Sequence, residues 1–122
     1  MIRRRLPVTL LLAAAAACAP HDQFAREVAG GDIDRGRVAI RQYGCQTCHV
    51  IPGVTGAEAL VGPPLNGMAS RMYIGGVLIN SSDNMVEWLK NPQAFEPRSA
   101  MPPLGVTEQD ARDITAYLYT LR

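Results

Sequence analysis

Two cysteines and a histidine stand close together near the middle of the chain, as Cys45, Cys48 and His49. Two thiols separated by two residues and followed directly by an imidazole are typical of covalent attachment of a c-type haem. Each thiol can form a thioether with a vinyl group of the porphyrin, and the histidine can then bind the iron as an axial ligand. The motif therefore predicts one covalently bound haem c.

Two other chemistries use a pair of cysteines at this spacing. A zinc half-site would need two further ligands, and the remaining histidine and cysteine, His21 and Cys18, fall in a region predicted to be leader or linker. A thioredoxin-like redox pair would need strands alternating with helices, and the sequence shows no such pattern. We therefore favour the haem interpretation.

Met101 is the methionine best suited to bind the iron from the other side. It precedes Pro102 and Pro103, so it stands on a stiff loop rather than on a helix face. A methionine on such a loop is poorly placed to fill the core but well placed to act as a rigid ligand. The other methionines are Met1, Met68, Met72 and Met85. Of these, Met72 in the predicted turn region is the chief rival.

The carboxylates of a buried haem need hydrogen-bond donors, because an unpaired buried charge is costly. Arg71 is the first candidate, followed by Tyr73 and Asn80 in the same glycine-rich stretch. The single tryptophan, Trp88, can pack on the porphyrin and donate its N–H. A solvated arginine and a tryptophan that simply packs in the core are the alternatives.

Three helices are predicted to position these residues. Asp32 or Asp34 caps the first helix, which runs to about Tyr43. Ser82 or Ser81 caps a second helix over residues 83–91, which Pro92 stops.

Thr107 caps the last helix, whose apolar face contains Ile114, Tyr117, Leu118 and Leu121. Gly36 lies on the face of the first helix, where glycine costs about 1 kcal/mol relative to alanine. Close approach of another helix is a reason to accept that cost. We therefore expect the first and last helices to cross near Gly36.

The beginning of the chain has the pattern of a secretory signal. Three arginines at positions 3–5 precede an apolar run over residues 6–19, which is short for a membrane span of about 20 residues. We predict a signal peptide at 1–17, an anchor or linker at 18–31 and one domain at 32–122. Loss of the leader changes the formal charge from +1 to −2. The sequence shows no basic patch that would indicate nucleic acid binding.

Cys18 follows three alanines at the end of the apolar run, which resembles a bacterial lipoprotein cleavage box. Ala15 stands where such boxes usually have leucine. We predict a lipid anchor at Cys18; the alternative, cleavage within the alanines, would leave a free thiol.

From about Asp34 to Arg122 the chain is similar to class I cytochromes c, with the CQTCH motif, the GPPL segment at 62–65 and the MPPLG loop at 101–105 in the family's order. The resemblance implies an all-α fold, with crossing terminal helices and loops wrapped around one haem. It also implies ligation by His49 and Met101, and a hydrogen bond from His49 to the Pro63 carbonyl. A rigid turn is the alternative interpretation of residues 62–65.

The stretch from Arg71 to Met101 also looks like the cytochrome c domain of some bacterial terminal oxidase subunits II, including Asn80, Trp88 and the segment Asn91-Pro92-Gln93. We see no copper-binding cupredoxin domain in this sequence. The expectation is therefore a separate protein of that type.

These observations predict a one-electron carrier rather than an enzyme, because an iron with both axial positions filled can only change oxidation state. The expected partners are a membrane donor complex and a terminal oxidase or periplasmic enzyme. The expected location is the periplasmic side of a bacterial membrane. A haem module of a larger complex, and peroxidase-like activity if Met101 dissociates, are the alternatives.

Overall fold

A computed structural model describes Ala25 and residues 29–122 of the chain. Within these residues the regular structure is mainly helical, as expected from the sequence. Three α-helices lie entirely within the described residues: α1 (Ile33–Gln42), α2 (Ser82–Lys90) and α3 (Glu108–Leu118). The strands β1 (Tyr73–Ile74) and β2 (Leu78–Ile79) form one short antiparallel hairpin. Single turns of 3₁₀ helix lie at Cys45–Thr47, Met68–Ser70 and Pro92–Ala94.

Each α-helix begins at a side-chain cap that the sequence predicts. Asp32 caps α1, Ser81 caps α2 and Thr107 caps α3, in each case by accepting a hydrogen bond from the backbone N–H three residues further on. Where the sequence left two candidates, the structure uses the earlier one. The reason is that Asp32 and Ser81 have extended backbones, the conformation from which a cap oxygen reaches that N–H.

Helices α1 and α3 cross where Gly36 meets the backbone of Asp113, as the sequence predicts. A Cβ atom at Gly36 would overlap the carbonyl group of Asp113, and one at Gly31 would overlap that of Arg112. Both obstacles are main chain in the interior of a helix, so they cannot rotate out of the way. The two glycines therefore set how closely α1 and α3 approach.

A buried carboxylate ties the crossing together. Asp113 is 1% exposed and accepts hydrogen bonds from the Nε of Arg35 at 2.7 Å, the backbone N–H of Asp32 at 2.7 Å and the Nε2 of Gln109 at 2.9 Å. Burial acts to raise the pKa of Asp113, but these donors outweigh it and hold the pKa below its ordinary 3.8. Ionised Asp113 therefore stabilises the fold near neutral pH, and this contribution is lost as the pH falls below that value.

The packed part of the chain begins earlier than residue 32. Ala25 and Ala29 are fully buried in the core, and Gly31 contacts α3. The small size of these residues permits this close packing, and all three fall within the segment predicted as an anchor or linker at 18–31. The predicted signal peptide and Cys18 lie outside the described residues. In the described part of the chain, no helix has the length and hydropathy needed to cross a membrane.

Candidate functional site

A cavity of about 520 Å³ lies between the helices and the loops that connect them. Its size falls within the range of about 300–1,000 Å³ that is usual for ligand sites. Apolar side chains from all three helices form most of its wall, among them Ile40, Leu89 and Leu118. Cys45, Cys48 and His49 lie together on the same wall. The residues with the most distinctive chemistry in the sequence thus face this mainly apolar cavity.

The end of α1 delivers the two cysteines to this wall. Gly44 has a φ of 76°, a left-handed conformation that ends the helix and that other residues rarely adopt. The 3₁₀ turn that follows is closed by a hydrogen bond from the Cys48 N–H to the Cys45 carbonyl at 3.2 Å, and the His49 N–H donates to the same carbonyl at 3.0 Å. Thr47 donates its hydroxyl to the Gly44 carbonyl at 2.7 Å. The turn therefore holds Cys45, Cys48 and His49 as one rigid unit.

His49 is oriented by the loop that contains Pro63. Its Nδ1 lies 2.7 Å from the Pro63 carbonyl oxygen, the hydrogen bond that the resemblance implies. Because a carbonyl can only accept, Nδ1 must carry a proton in this contact, and in the neutral imidazole Nε2 is then the nitrogen with a free lone pair. An acceptor on the second nitrogen also fixes the ring and makes it a better donor to a metal.

The same loop is held against the cysteine turn by a glycine. Gly62 donates its N–H to the Cys48 carbonyl at 2.8 Å, and a Cβ atom at Gly62 would overlap the His49 ring. A larger residue would therefore displace either the histidine or Pro63. The hydrogen bond between His49 and Pro63 therefore requires a glycine at position 62.

The environment of the cysteines does not support the two alternative chemistries. Burial raises the pKa of the Cys45 thiol above its ordinary 9.0, whereas a redox-active pair needs a lowered thiol pKa. The described residues contain no group of three or more histidine, cysteine, aspartate or glutamate side chains that could hold a metal ion. Within the described structure, neither a thioredoxin-like site nor a zinc site is formed.

The structure separates the two methionines that the sequence left in competition. Met101 is half-buried and lines the cavity. Met72 is 76% exposed and does not line it. Met68 and Met85 also reach the cavity wall, but both are buried in the core on a 3₁₀ turn and a helix. Met101 is thus the cavity-lining methionine on an irregular loop.

Three of the four predicted carboxylate donors line the cavity: Arg71, Tyr73 and Trp88. The guanidinium of Arg71 already donates to the backbone carbonyls of Pro64 and Asn66, the second at 2.9 Å. Tyr73 is 54% exposed. The indole of Trp88 packs on Gly75 so closely that a Cβ atom there would overlap the ring. All three therefore lie at the cavity, with Arg71 also bracing its loop.

Asn80 is placed differently and does not line the cavity. Its amide nitrogen donates to the carbonyls of Met68 at 2.9 Å and Arg71 at 2.8 Å, and its oxygen accepts from the hydroxyl of Tyr119 at 2.9 Å. Burial raises the pKa of Tyr119 to about 12, so its hydroxyl stays neutral and donates. Asn80 therefore fixes the loop that carries Arg71.

Sequence reasoning missed two polar residues near the cavity. Tyr43, which we predicted as the approximate end of the first helix, lines the cavity and donates its hydroxyl to Asp110 at 2.6 Å, linking the end of α1 to α3. Gln93 donates to the loop that carries Met101. The segment Asn91-Pro92-Gln93 contributed to the resemblance to oxidase subunits II, but nothing in its sequence pattern indicated that Gln93 contacts the Met101 loop.

Residues 33–122 match the family model named Cytochrome c, and the chain belongs to that family. It is 31% identical over 119 aligned positions to cytochrome c2 of Rhodopseudomonas palustris, covering 75% of this chain and 99% of that protein. It is also 31% identical over 90 residues to cytochrome c oxidase subunit 2 of Alkalihalophilus pseudofirmus, covering 73% of this chain.

The corresponding subunit of Bacillus sp. strain PS3 is 27% identical over 88 residues. The chain spans about a quarter of the length of these two oxidase subunits. No solved structure matches the chain significantly.

Membership of this family implies a covalently attached haem c, and the cavity suits such a group. The wall is mainly apolar, two free cysteines line it, and a histidine whose Nδ1 is held by Pro63 lies beside them. Gly62 and Gly75 leave space where any side chain would collide with His49 or Trp88. Together these features define the site of a haem-based electron carrier.

Proposed function

We propose that this chain is a one-electron carrier with a single haem c, attached through Cys45 and Cys48 and bound axially by His49 and Met101. The observation that carries the proposal is the hydrogen bond from His49 Nδ1 to Pro63, which leaves Nε2 free at the wall of the cavity. Met101 supports the proposal because it lines the same cavity from a loop stiffened by Pro102 and Pro103.

The residues of the chain determine what the haem can do. The group itself supplies a reversible one-electron couple. With His49 and Met101 holding the iron, no coordination position would remain open for a substrate. The thioether of Met101 and the apolar wall would both favour ferrous iron and so raise the reduction potential. The resulting protein transfers electrons and is not an enzyme.

The haem carboxylates belong near the polar side chains of the cavity wall. Arg71, Tyr73 and Trp88 all line the cavity and carry donor groups. We assign them as carboxylate contacts because a buried carboxylate without a donor would destabilise the complex. Asn80 acts indirectly in this proposal, by holding the backbone of Arg71.

The proposed partners are a membrane donor complex and a terminal oxidase or periplasmic enzyme. The support is the relatives, two of which are named as subunits of cytochrome c oxidase and one as cytochrome c2. The proposed location is the periplasmic side of a bacterial membrane, reached by export with the signal peptide 1–17. Tethering at Cys18 would raise the effective concentration of the carrier near membrane partners.

The lipid anchor has a direct test by mass spectrometry. We expect the mature protein to begin at Cys18 and to carry the mass of one haem plus that of acyl groups on its first residue. Replacement of Cys18 by serine should remove the acyl mass and leave the haem mass. A mature protein that begins elsewhere, or that starts at an unmodified cysteine, would contradict the anchor without affecting the haem proposal.

Replacing Met101 by alanine tests the ligand set. Oxidised wild-type protein should show the weak red absorption band that reports an iron–sulfur bond, and Met101→Ala should lose it completely while retaining covalent haem. Met72→Ala is the matched control, because Met72 is 76% exposed and should leave the band unchanged. A wild-type protein without the band would reject Met101 as ligand and favour the peroxidase-like alternative with an open iron site.

A haem module within a larger complex is the second candidate function. It is favoured by the oxidase subunits, in which the matching part forms about a quarter of a longer chain. The two candidates differ in how the protein is recovered from its native membrane. A carrier is released as a free protein by mild detergent, whereas a module stays with its partner subunits.

A further inference from the structure

The loop that carries Met101 has few backbone hydrogen bonds of its own. Its last internal bond runs from the Ser99 N–H to the Glu96 carbonyl at 2.9 Å. Pro102 and Pro103 follow Met101 and have no N–H to donate. Side chains must therefore hold the backbone of Met101 if its sulfur is to keep one position.

Gln93 and Ser99 supply those contacts. The Nε2 of Gln93 donates both to the carbonyl of Ser99 at 3.2 Å and to the carbonyl of Met101. The hydroxyl of Ser99 accepts from the Met101 N–H at 3.2 Å. Both polar groups of the Met101 main chain are thus held by side chains, and Gln93 bridges two carbonyls of the loop.

The carbonyl oxygen of the Gln93 side chain is in an unfavourable environment. This atom, Oε1, is buried and has no hydrogen-bond partner among the described residues. Rotating the amide would not help, because Oε1 would then face two carbonyl oxygens, which are also acceptors. A buried acceptor without a partner destabilises the fold, so the gain must lie in the geometry that the two donated bonds impose on the loop.

We propose that Gln93 is a positioning residue that keeps the Met101 sulfur on the iron by fixing the Met101 carbonyl. This inference rests on the proposed ligation by Met101. Gln93 does not line the cavity, so it acts through the loop and not by contact with the haem. Replacement of Gln93 should leave Met101 able to bind the iron, but should shift the equilibrium between bound and dissociated sulfur toward dissociation.

Imidazole, which can bind ferric iron only when the methionine leaves, measures that equilibrium. We expect oxidised Gln93→Leu to bind imidazole about tenfold more tightly than wild type, equivalent to about 1.4 kcal/mol. The midpoint potential should fall as well, because the thioether favours ferrous iron. Gln93→Asn keeps the amide but is one methylene too short to reach both carbonyls, so it should shift in the same direction if Gln93→Leu does not fold.

Asn84→Leu is the matched control. Asn84 also donates its side-chain amide to a backbone carbonyl, that of Ile79 at the end of β2, at 2.8 Å, but does not line the cavity. The Asn84→Leu replacement should lower thermal stability without changing the affinity for imidazole or the midpoint potential. If both Gln93 variants bind imidazole like wild type, or if Asn84→Leu shifts affinity equally, the inference is overturned.

The failure of the underlying ligand assignment would look different. Wild-type protein without the iron–sulfur band would reject Met101 itself, whatever the Gln93 variants do. Wild-type protein with the band, together with unchanged imidazole binding in the Gln93 variants, would reject only the role of Gln93.

Discussion

Replacing both Cys45 and Cys48 by serine is expected to abolish covalent haem attachment and, with it, the folded state. The described chain encloses a cavity of about 520 Å³ with a mainly apolar wall. At roughly 24 cal/mol per Å³, leaving such a volume empty would cost about 12 kcal/mol. That cost is comparable with the whole stability of a typical domain, about 5–15 kcal/mol. This figure of about 12 kcal/mol is an upper limit, because the cavity is open to solvent and water can enter it.

The experiment uses protein produced in a host that attaches haem c. Intact mass should show no haem on the double variant, and far-ultraviolet circular dichroism should show little helix. Cys45→Ser alone retains one thioether and should stay partly coloured after denaturing extraction. A double variant that is colourless yet keeps the helical content of wild type would show that the chain folds around an empty or collapsed cavity.

Replacing Gly36 by alanine should destabilise the protein by about 3 kcal/mol, the upper part of the usual range for overpacking. On an open helix surface the same change would stabilise by about 1 kcal/mol, because alanine is the better helix former. Here the new methyl group would overlap the Asp113 carbonyl. Relief requires α1 and α3 to separate, which would also strain the hydrogen bonds to the buried Asp113 carboxylate.

Denaturant unfolding of the haem-loaded protein measures this change. The single tryptophan, Trp88, lines the cavity, so its fluorescence should be quenched by the haem in the folded state and rise on unfolding. Val38→Ala is the control on the same helix, because Val38 is 53% exposed and its loss should change stability by less than about 0.5 kcal/mol. Equal or greater stability of Gly36→Ala would mean that the helices do not cross at this glycine.

Local sequence signals predicted the elements well because their physics is local. A cap requires an oxygen three residues before an orphan N–H, so Asp32, Ser81 and Thr107 could be identified or narrowed to two candidates. Gly36 stood out because glycine in a helix is costly unless another chain segment needs the space. The burial of Ala25 and Ala29 could not be predicted, because small apolar residues look the same in a linker and in a tight packing contact.

The motif Cys45-Gln46-Thr47-Cys48-His49 was sufficient to predict a covalently bound haem c, because two thiols followed directly by an imidazole are typical of that cofactor. Only the tertiary structure decided which distant side chains serve it. Asn80 lies away from the cavity, and Gln93 holds the Met101 loop from eight residues away in sequence. Such roles depend on where a side chain points after packing, and sequence spacing carries no information about that direction outside regular helices and strands.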